Sequence, residues 1–175
     1  MSKIEYYLNK IKGIALDVDG VLSPSTCSLS LSGHPVRMGN VKDGYAMQLA
    51  LKAGLNIAVI TGGESTEIAN RMKLLGVTNL WQNVPDKLPM LKKWMEDSGL
   101  RPEEVAFMGD DIPDLRCMRH VGLPCAPYDA AWEVKQEAVY VSNITGGYGC
   151  VRDLIEQVMR AHGLWWPDNE NALTW

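Results

Sequence analysis

The sequence predicts the α/β class, with a three-layer, Rossmann-like sandwich built on a mainly parallel sheet. Three observations predict it. Short, almost wholly apolar runs recur along the chain, as in strands covered on both faces. Amphipathic stretches of helical length separate them. Most of those stretches end just before a glycine, which takes left-handed backbone at no steric cost. Strand, helix, strand in series gives parallel pairing with right-handed crossovers. Ligands in such sheets bind beyond the carboxyl ends of the strands.

The elements follow in order. Residues 13–18 (GIALDV) form the first expected strand, which ends at Asp19-Gly20. Residues 25–40 break the rhythm, with a strict alternation from Cys27 to Ser32, then Gly33-His34-Pro35, then Val36-Arg37-Met38. That pattern predicts a β-hairpin projecting from the end of the first strand, with an irregular loop as the alternative. A helix is expected over 45–52, stopped by Gly54, and a second strand over 56–61, ended by Gly62-Gly63. Ser65 is a candidate N-cap for a helix over 66–75, stopped by Gly76. Weaker strand signals lie at 79–82 and 140–142. Helices are expected over 88–97, 114–120 and 151–161, stopped by Gly99, Gly122 and Gly163. The third strong strand, 105–109, ends at Asp110-Asp111. The domain is expected to span 1–163, followed by a tail, 164–175, that carries Trp165, Trp166 and Trp175. Three indoles are costly to leave in water, so the tail packs either on its own domain or on a neighbouring subunit.

The chain has 175 residues, the size of one domain, a net charge of −4, 46% hydrophobic and 22% charged residues. That composition excludes a disordered chain. With no Lys/Arg-rich run, it also argues against nucleic-acid partners. No apolar run approaches the roughly 20 residues that cross a bilayer, so no membrane partner is expected. The first residues show no secretory signal, which points to the cytoplasm. Cys27, Cys117, Cys125 and Cys150 form no C-x-x-C pair, so zinc and a disulfide scaffold are not expected.

The chemistry gathers in the aspartates. Asp17 and Asp19 stand two apart at a strand end, and residues i and i+2 of an extended chain point the same way. Asp110, Asp111 and Asp114 follow another strand. Any one of these aspartates reads as a turn or cap residue. Two clusters after two parallel strands instead converge on one crevice. Mutual repulsion there calls for a hard divalent cation such as Mg2+. Thr61, with the amides of Gly62 and Gly63, can hold an anionic oxygen. Lys87 can neutralise a phosphate beside a carboxylate.

Asp17-Val-Asp-Gly-Val-Leu22, Thr61, Lys87 and Gly109-Asp110-Asp111-x-x-Asp114 resemble the four motifs of haloacid dehalogenase-type phosphatases in order and spacing. Val41-Lys-Asp-Gly-Tyr-Ala46, Gly76-Val77 and Gly146-Gly-Tyr-Gly-Cys-Val-Arg-Asp153 are similar to the 3-deoxy-D-manno-octulosonate 8-phosphate phosphatases, a cap-less branch. The resemblance implies Asp17 as nucleophile and Asp19 as general acid, then base. It implies Asp17, the Asp19 carbonyl and Asp110 around Mg2+, and Thr61 and Lys87 on the phosphoryl group. Asp111 and Asp114 would order the loop outside the metal.

Thr61 stands 44 positions after Asp17 and Lys87 stands 26 after Thr61, so neither gap holds an inserted domain of about 50 residues or more. The resemblance therefore implies a homotetramer in which hairpins and tails of neighbouring subunits cover each site. It also implies substrate contacts at Asp43, Gly44, Tyr45, Ala46 and Met47, and at Arg71, whose alternative role is a solvated helix arginine. Some relatives carry arginine directly after the Thr-Gly pair, where this chain has Gly63. The expected activity is Mg2+-dependent hydrolysis of 3-deoxy-D-manno-octulosonate 8-phosphate through an aspartyl-phosphate, feeding synthesis of a surface glycan. Alternatives are the nine-carbon 2-keto-3-deoxynononate or N-acylneuraminate 9-phosphates, transfer of phosphate to another alcohol, or an idle oligomerisation module on the same fold.

Overall fold

The computed structural model describes residues 7–166 and 169–174. Among the described residues six strands form one wholly parallel sheet. They are β1 (Gly13–Leu16), β2 (Asn56–Ile60), β3 (Asn79–Trp81), β4 (Val105–Met108), β5 (Leu123–Ala126) and β6 (Tyr140–Val141). Their order, β3-β2-β1-β4-β5-β6, puts β1 between β2 and β4, where the direction of winding reverses. A crevice opens at the strands' carboxyl ends at such a point.

Among the described residues, six helices with complete bounds cover the two faces: α1 (Val41–Lys52), α2 (Thr66–Leu75), α3 (Lys87–Asp97), α4 (Leu115–Met118), α5 (Trp132–Glu137) and α6 (Cys150–Ala161). Strand side chains alternate between them. Ile14, Leu16, Ile57, Val59 and Met108 pack with α1, α2 and α6. Ala15, Ala58, Ile60 and Phe107 pack with α3, α4 and α5. Asn40 accepts from the Lys42 and Asp43 amides and caps α1, which therefore begins at Val41, four residues before the expected start. Ser65 caps α2 as expected, and Gly76 closes it in the left-handed region at φ 82°.

Several expectations are corrected. The hairpin at 25–40 is an excursion closed by a single antiparallel bridge, Leu29 to Pro35, with no strand on either arm. Its serines and glycine turn back on themselves: Gly33 donates to the Ser30 carbonyl, and Ser30 Oγ meets Ser32 Oγ. β5 and α5 carry no expectation from the sequence. Pro124 disguises β5, yet it joins the sheet through its carbonyl, which accepts from the Val139 amide. Where a helix over 114–120 was expected, a 3-10 turn, Ile112–Asp114, leads into the four-residue α4. Gly122 does not adopt left-handed backbone. A Cβ there would lie 2.6 Å from the Glu103 backbone, so close approach explains that glycine.

Trp165 of the tail is buried on its own domain, edge-on to Tyr45 at 6.2 Å between ring centroids, with the Arg152 guanidinium over both rings. Trp166 is half-exposed, and Trp175 lies outside the described residues.

Candidate active site

Leu16 is in register with Val59 on one side and Met108 on the other. Asp17 follows Leu16 directly, and Thr61 and Asp110 come one position further along the flanking strands, so all three emerge at the crevice. Asp17 is buried, with Oδ1 accepting from the Val18 amide at 2.7 Å and Oδ2 2.8 Å from Lys87 Nζ. Lys87, first residue of α3, also donates to Asp114 Oδ1 at 2.6 Å. Asp114 is buried too, and its Oδ2 accepts from the Asp110 amide at 3.0 Å and the Asp111 amide at 3.5 Å. One carboxylate thus fixes both the lysine and the backbone that carries Asp110. The Asp111 side chain turns outward and accepts from the Ile112 amide.

Oxygen atoms of Asp17, Asp110 and Asp114 lie within 4.8 Å of one another. Burial, then the Asp114 charge, pushes Asp17 up to about 7 against the opposing pull of Lys87. Burial, then Asp17, Asp114 and Asp111, pushes Asp110 up to about 7. Burial alone would lower Lys87, but Asp17 and Asp114 outweigh it and its net shift is upward. Crowded oxygens that resist ionisation together are the donor set a hard divalent cation relieves. Asp110 is the freest of the three for that task, because both oxygens of Asp17 and of Asp114 already accept from Lys87 or from backbone amides. Asp17, Asp19, Ser25, Lys87, Asp110 and Asp114 line a cavity of about 300 Å³.

Thr61 is buried just past β2. Its Oγ1 accepts the Gly63 amide at 3.1 Å, so that amide is used internally and is not offered to a ligand as expected. Gly62 is exposed beside it.

The five expected contacts on α1 separate. Ala46 and Met47 are fully buried in the core, and Tyr45 donates its hydroxyl to the Ala172 carbonyl beside Trp165. Met47, one turn after Asp43, lies on the same face of α1 and borders the same cleft, while Tyr45 and Ala46 turn to other faces because a helix turns about 100° per residue. Asp43 is buried and accepts the Arg152 amide through Oδ1 at 2.7 Å. Arg71 lies over Gly44, where a Cβ would come within 2.4 Å of its Nη2.

Arg37, not singled out from the sequence, enters the site. It grips Asp19 with two 2.8 Å bonds, Nε to Oδ1 and Nη2 to Oδ2, and donates from Nη1 to the Glu64 carbonyl at 2.9 Å. Its sequence signal is slight: one cation between Val36 and Met38 in an alternating stretch.

Comparisons with known proteins agree with this geometry. No family model matches the chain. The 3-deoxy-D-manno-octulosonate 8-phosphate phosphatase KdsC of Escherichia coli K12 is 37% identical over 153 residues, 87% of this chain and 81% of that protein. The crystal structure of the enzyme of that name from Yersinia pestis superposes with a TM-score of 0.86 at 32% identity, over 90% of this chain and 85% of that one. The Moraxella catarrhalis enzyme, solved with a magnesium ion, a phosphate ion and a KDO molecule, gives 0.87 at 30% identity, over 98% and 95%. A strand-end carboxylate cluster bridged by lysine, on a fold shared over most of both chains, has one reading: this chain belongs to the 3-deoxy-D-manno-octulosonate 8-phosphate phosphatase family of the haloacid dehalogenase superfamily.

Proposed function

We propose that this protein is a phosphoric monoester hydrolase that converts 3-deoxy-D-manno-octulosonate 8-phosphate to the free sugar acid and inorganic phosphate. The observation that carries the reading is Lys87 bonded to both Asp17 and Asp114, with Asp110 inside the same 4.8 Å cluster. A phosphate monoester repels a carboxylate nucleophile, and a buried ammonium 2.8 Å from that nucleophile offsets the repulsion.

Asp17 attacks phosphorus, and the bond from phosphorus to the sugar oxygen breaks. Asp19 gives its proton to that oxygen. Asp19 then takes a proton from water, the water oxygen attacks phosphorus, and the bond to Asp17 breaks. Two displacements divide one difficult step. Thr61 Oγ1 accepts from Gly63 and keeps its own hydroxyl proton for a phosphoryl oxygen, beside Gly62. Asp17, Asp110 and the Asp19 carbonyl would hold Mg2+, which when bound supplies positive charge to the transferring phosphoryl group. Asp114 and Asp111 order the loop that carries Asp110. The expected substrate contacts Asp43, Gly44, Met47 and Arg71 border one narrow cleft beside α1.

The same reading includes a homotetramer in the cytoplasm. Leu29, Leu31, Val36 and Met38 expose apolar side chains on the excursion, as a surface covered by a neighbouring subunit would. No helix among the described residues is long and apolar enough to cross a membrane.

Phosphate release with Mg2+ from eight- and nine-carbon keto-acid phosphates, on one preparation, tests the substrate. A higher kcat/KM for the eight-carbon compound is expected, and preference for a nine-carbon one would replace it. Size-exclusion chromatography tests the tetramer, with elution as a monomer removing the shared site.

A further inference from the structure

Arg37 sits where phosphate hydrolysis alone gives it no work. Its neighbours Val36 and Met38 are exposed, yet its own side chain is only 7% exposed. The arm is fixed by the Val36 amide on the Ser28 carbonyl and the Met38 amide on Ser23 Oγ. Its guanidinium has a made seat, since a Cβ on Gly63 would come within 2.2 Å of Arg37 Nη2. Any side chain at position 63 would displace it. From that seat it occupies both oxygens of Asp19. An acid whose two oxygens both accept from a guanidinium cannot aim a proton at a leaving oxygen. Turnover therefore requires that Arg37 let go.

A guanidinium leaves a bidentate carboxylate most readily for another planar anion of the same shape. Arg37 borders a cavity of about 690 Å³, lined also by Ser30, His34, Ser65, Asn83, Glu64 and Glu67. Hydroxyls, an imidazole and an amide suit a polyhydroxylated chain. A substrate with phosphate at one end and carboxylate at the other can reach from Lys87 across Asp19 to this cavity.

Resting on the proposed function, we propose that Arg37 is a substrate-operated latch. It holds Asp19 in the free enzyme, and the substrate's carboxylate takes the guanidinium over, which releases Asp19 to protonate the leaving oxygen. A phosphate monoester without a carboxylate binds at Lys87 but leaves the latch closed. Discrimination then falls on kcat and not only on KM.

Arg37→Met removes the latch, and Gly63→Ala unseats it while keeping the arginine. Both are assayed as full chains with Mg2+, on 3-deoxy-D-manno-octulosonate 8-phosphate and on ribose 5-phosphate, whose poor leaving group needs a proton and which has no carboxylate. In both variants kcat for ribose 5-phosphate is expected to rise about threefold or more. In Arg37→Met, kcat/KM for the sugar acid phosphate is expected to fall about tenfold or more. An unchanged or lower kcat on ribose 5-phosphate in both variants overturns the latch, even if the sugar acid phosphate is lost. If Arg37→Met does not fold, Gly63→Ala decides alone. If the wild type hydrolyses ribose 5-phosphate but no keto-acid phosphate, the proposed substrate fails, and the ribose 5-phosphate rates still decide whether Arg37 restrains Asp19.

Discussion

Two cations meet two aspartates in this crevice, and they are held in opposite ways. Lys87 rises from the first residue of a helix into a buried position between Asp17 and Asp114, with its side chain 7% exposed. Arg37, its side chain as well covered as that of Lys87, comes from an excursion closed by one bridge and meets an Asp19 side chain that is 43% exposed, against 9% for Asp17. The first pair is built into the core of the site. The second borders solvent on a segment with few backbone bonds. An ion pair inside a folded core is part of the scaffold, whereas one at a solvent boundary can be exchanged for a ligand.

The largest effect that sharpens the contrast lies on the fixed side. Asp17→Asn keeps the volume and the Val18 contact but removes the attacking oxygen anion, and kcat is expected to fall by about a thousandfold or more. Phosphate release under saturating substrate measures it, and substantial residual turnover would remove Asp17 as nucleophile. Removing the divalent cation with EDTA is expected to abolish turnover as completely, with recovery on adding Mg2+.

Next comes a direct comparison of the two cations by thermal unfolding. Lys87→Met leaves two buried carboxylates without their counter-charge and is expected to cost about 3 kcal/mol or more. Arg37→Met removes a pair at the solvent boundary and is expected to cost about 1 kcal/mol or less. Equal losses would break the distinction between scaffold and latch.

The carboxylate cluster was legible in the sequence because two strong local signals coincide there. An apolar strand ending in Asp-Val-Asp-Gly, and another ending in Gly-Asp-Asp, need no knowledge of distant contacts. Thr61 and Lys87 follow the same logic of strand ends. Asp114 was visible, but its hold on both Lys87 and the Asp110 amide depends on how the 3-10 turn at Ile112–Asp114 folds back. Arg37 was hidden because its partner is 18 positions away and its seat at Gly63 is 26 positions away. β5 was hidden because Pro124 argues locally against a strand, while two neighbours in the sheet outweigh that preference. Trp165 was ambiguous until Tyr45 and Arg152, from two other helices, gave it a place.

The cluster also sets a pH dependence. Asp17 and Asp110 have ordinary values near 3.8 but stand at about 7 when folded without metal. Between those values the folded state holds protons that the unfolded state has released. Stability of the metal-free protein therefore falls as pH rises from about 4 through 7 and levels off above. Mg2+ competes with the same protons, so its effect on the melting temperature is expected to be large at pH 8 and small at pH 5.5. Calorimetry with EDTA or Mg2+ at both pH values checks this, and a Mg2+ shift independent of pH would contradict it.

The smallest effect tests a carboxylate away from the metal cluster. Asp43 is pushed up to about 6 by burial, against the Arg152 amide that stabilises its charge. Its Oδ2 is buried with no hydrogen-bond partner among the described residues. Above pH 6 the folded protein carries a buried charge with half its bonding capacity unused, a penalty that begins above pH 3.8 and is only partly developed at pH 5, where the folded group is still protonated. Asp43→Asn keeps the acceptor for the Arg152 amide and removes the charge. Relative to wild type, the variant is expected to gain about 1–2 kcal/mol in stability on going from pH 5 to pH 8. Denaturant midpoints at the two pH values measure that gain. If KM for the sugar acid phosphate rises in the same variant, Asp43 also orders the α1 end of the substrate site from beneath. If KM is unchanged, Asp43 serves only to hold α6 against α1.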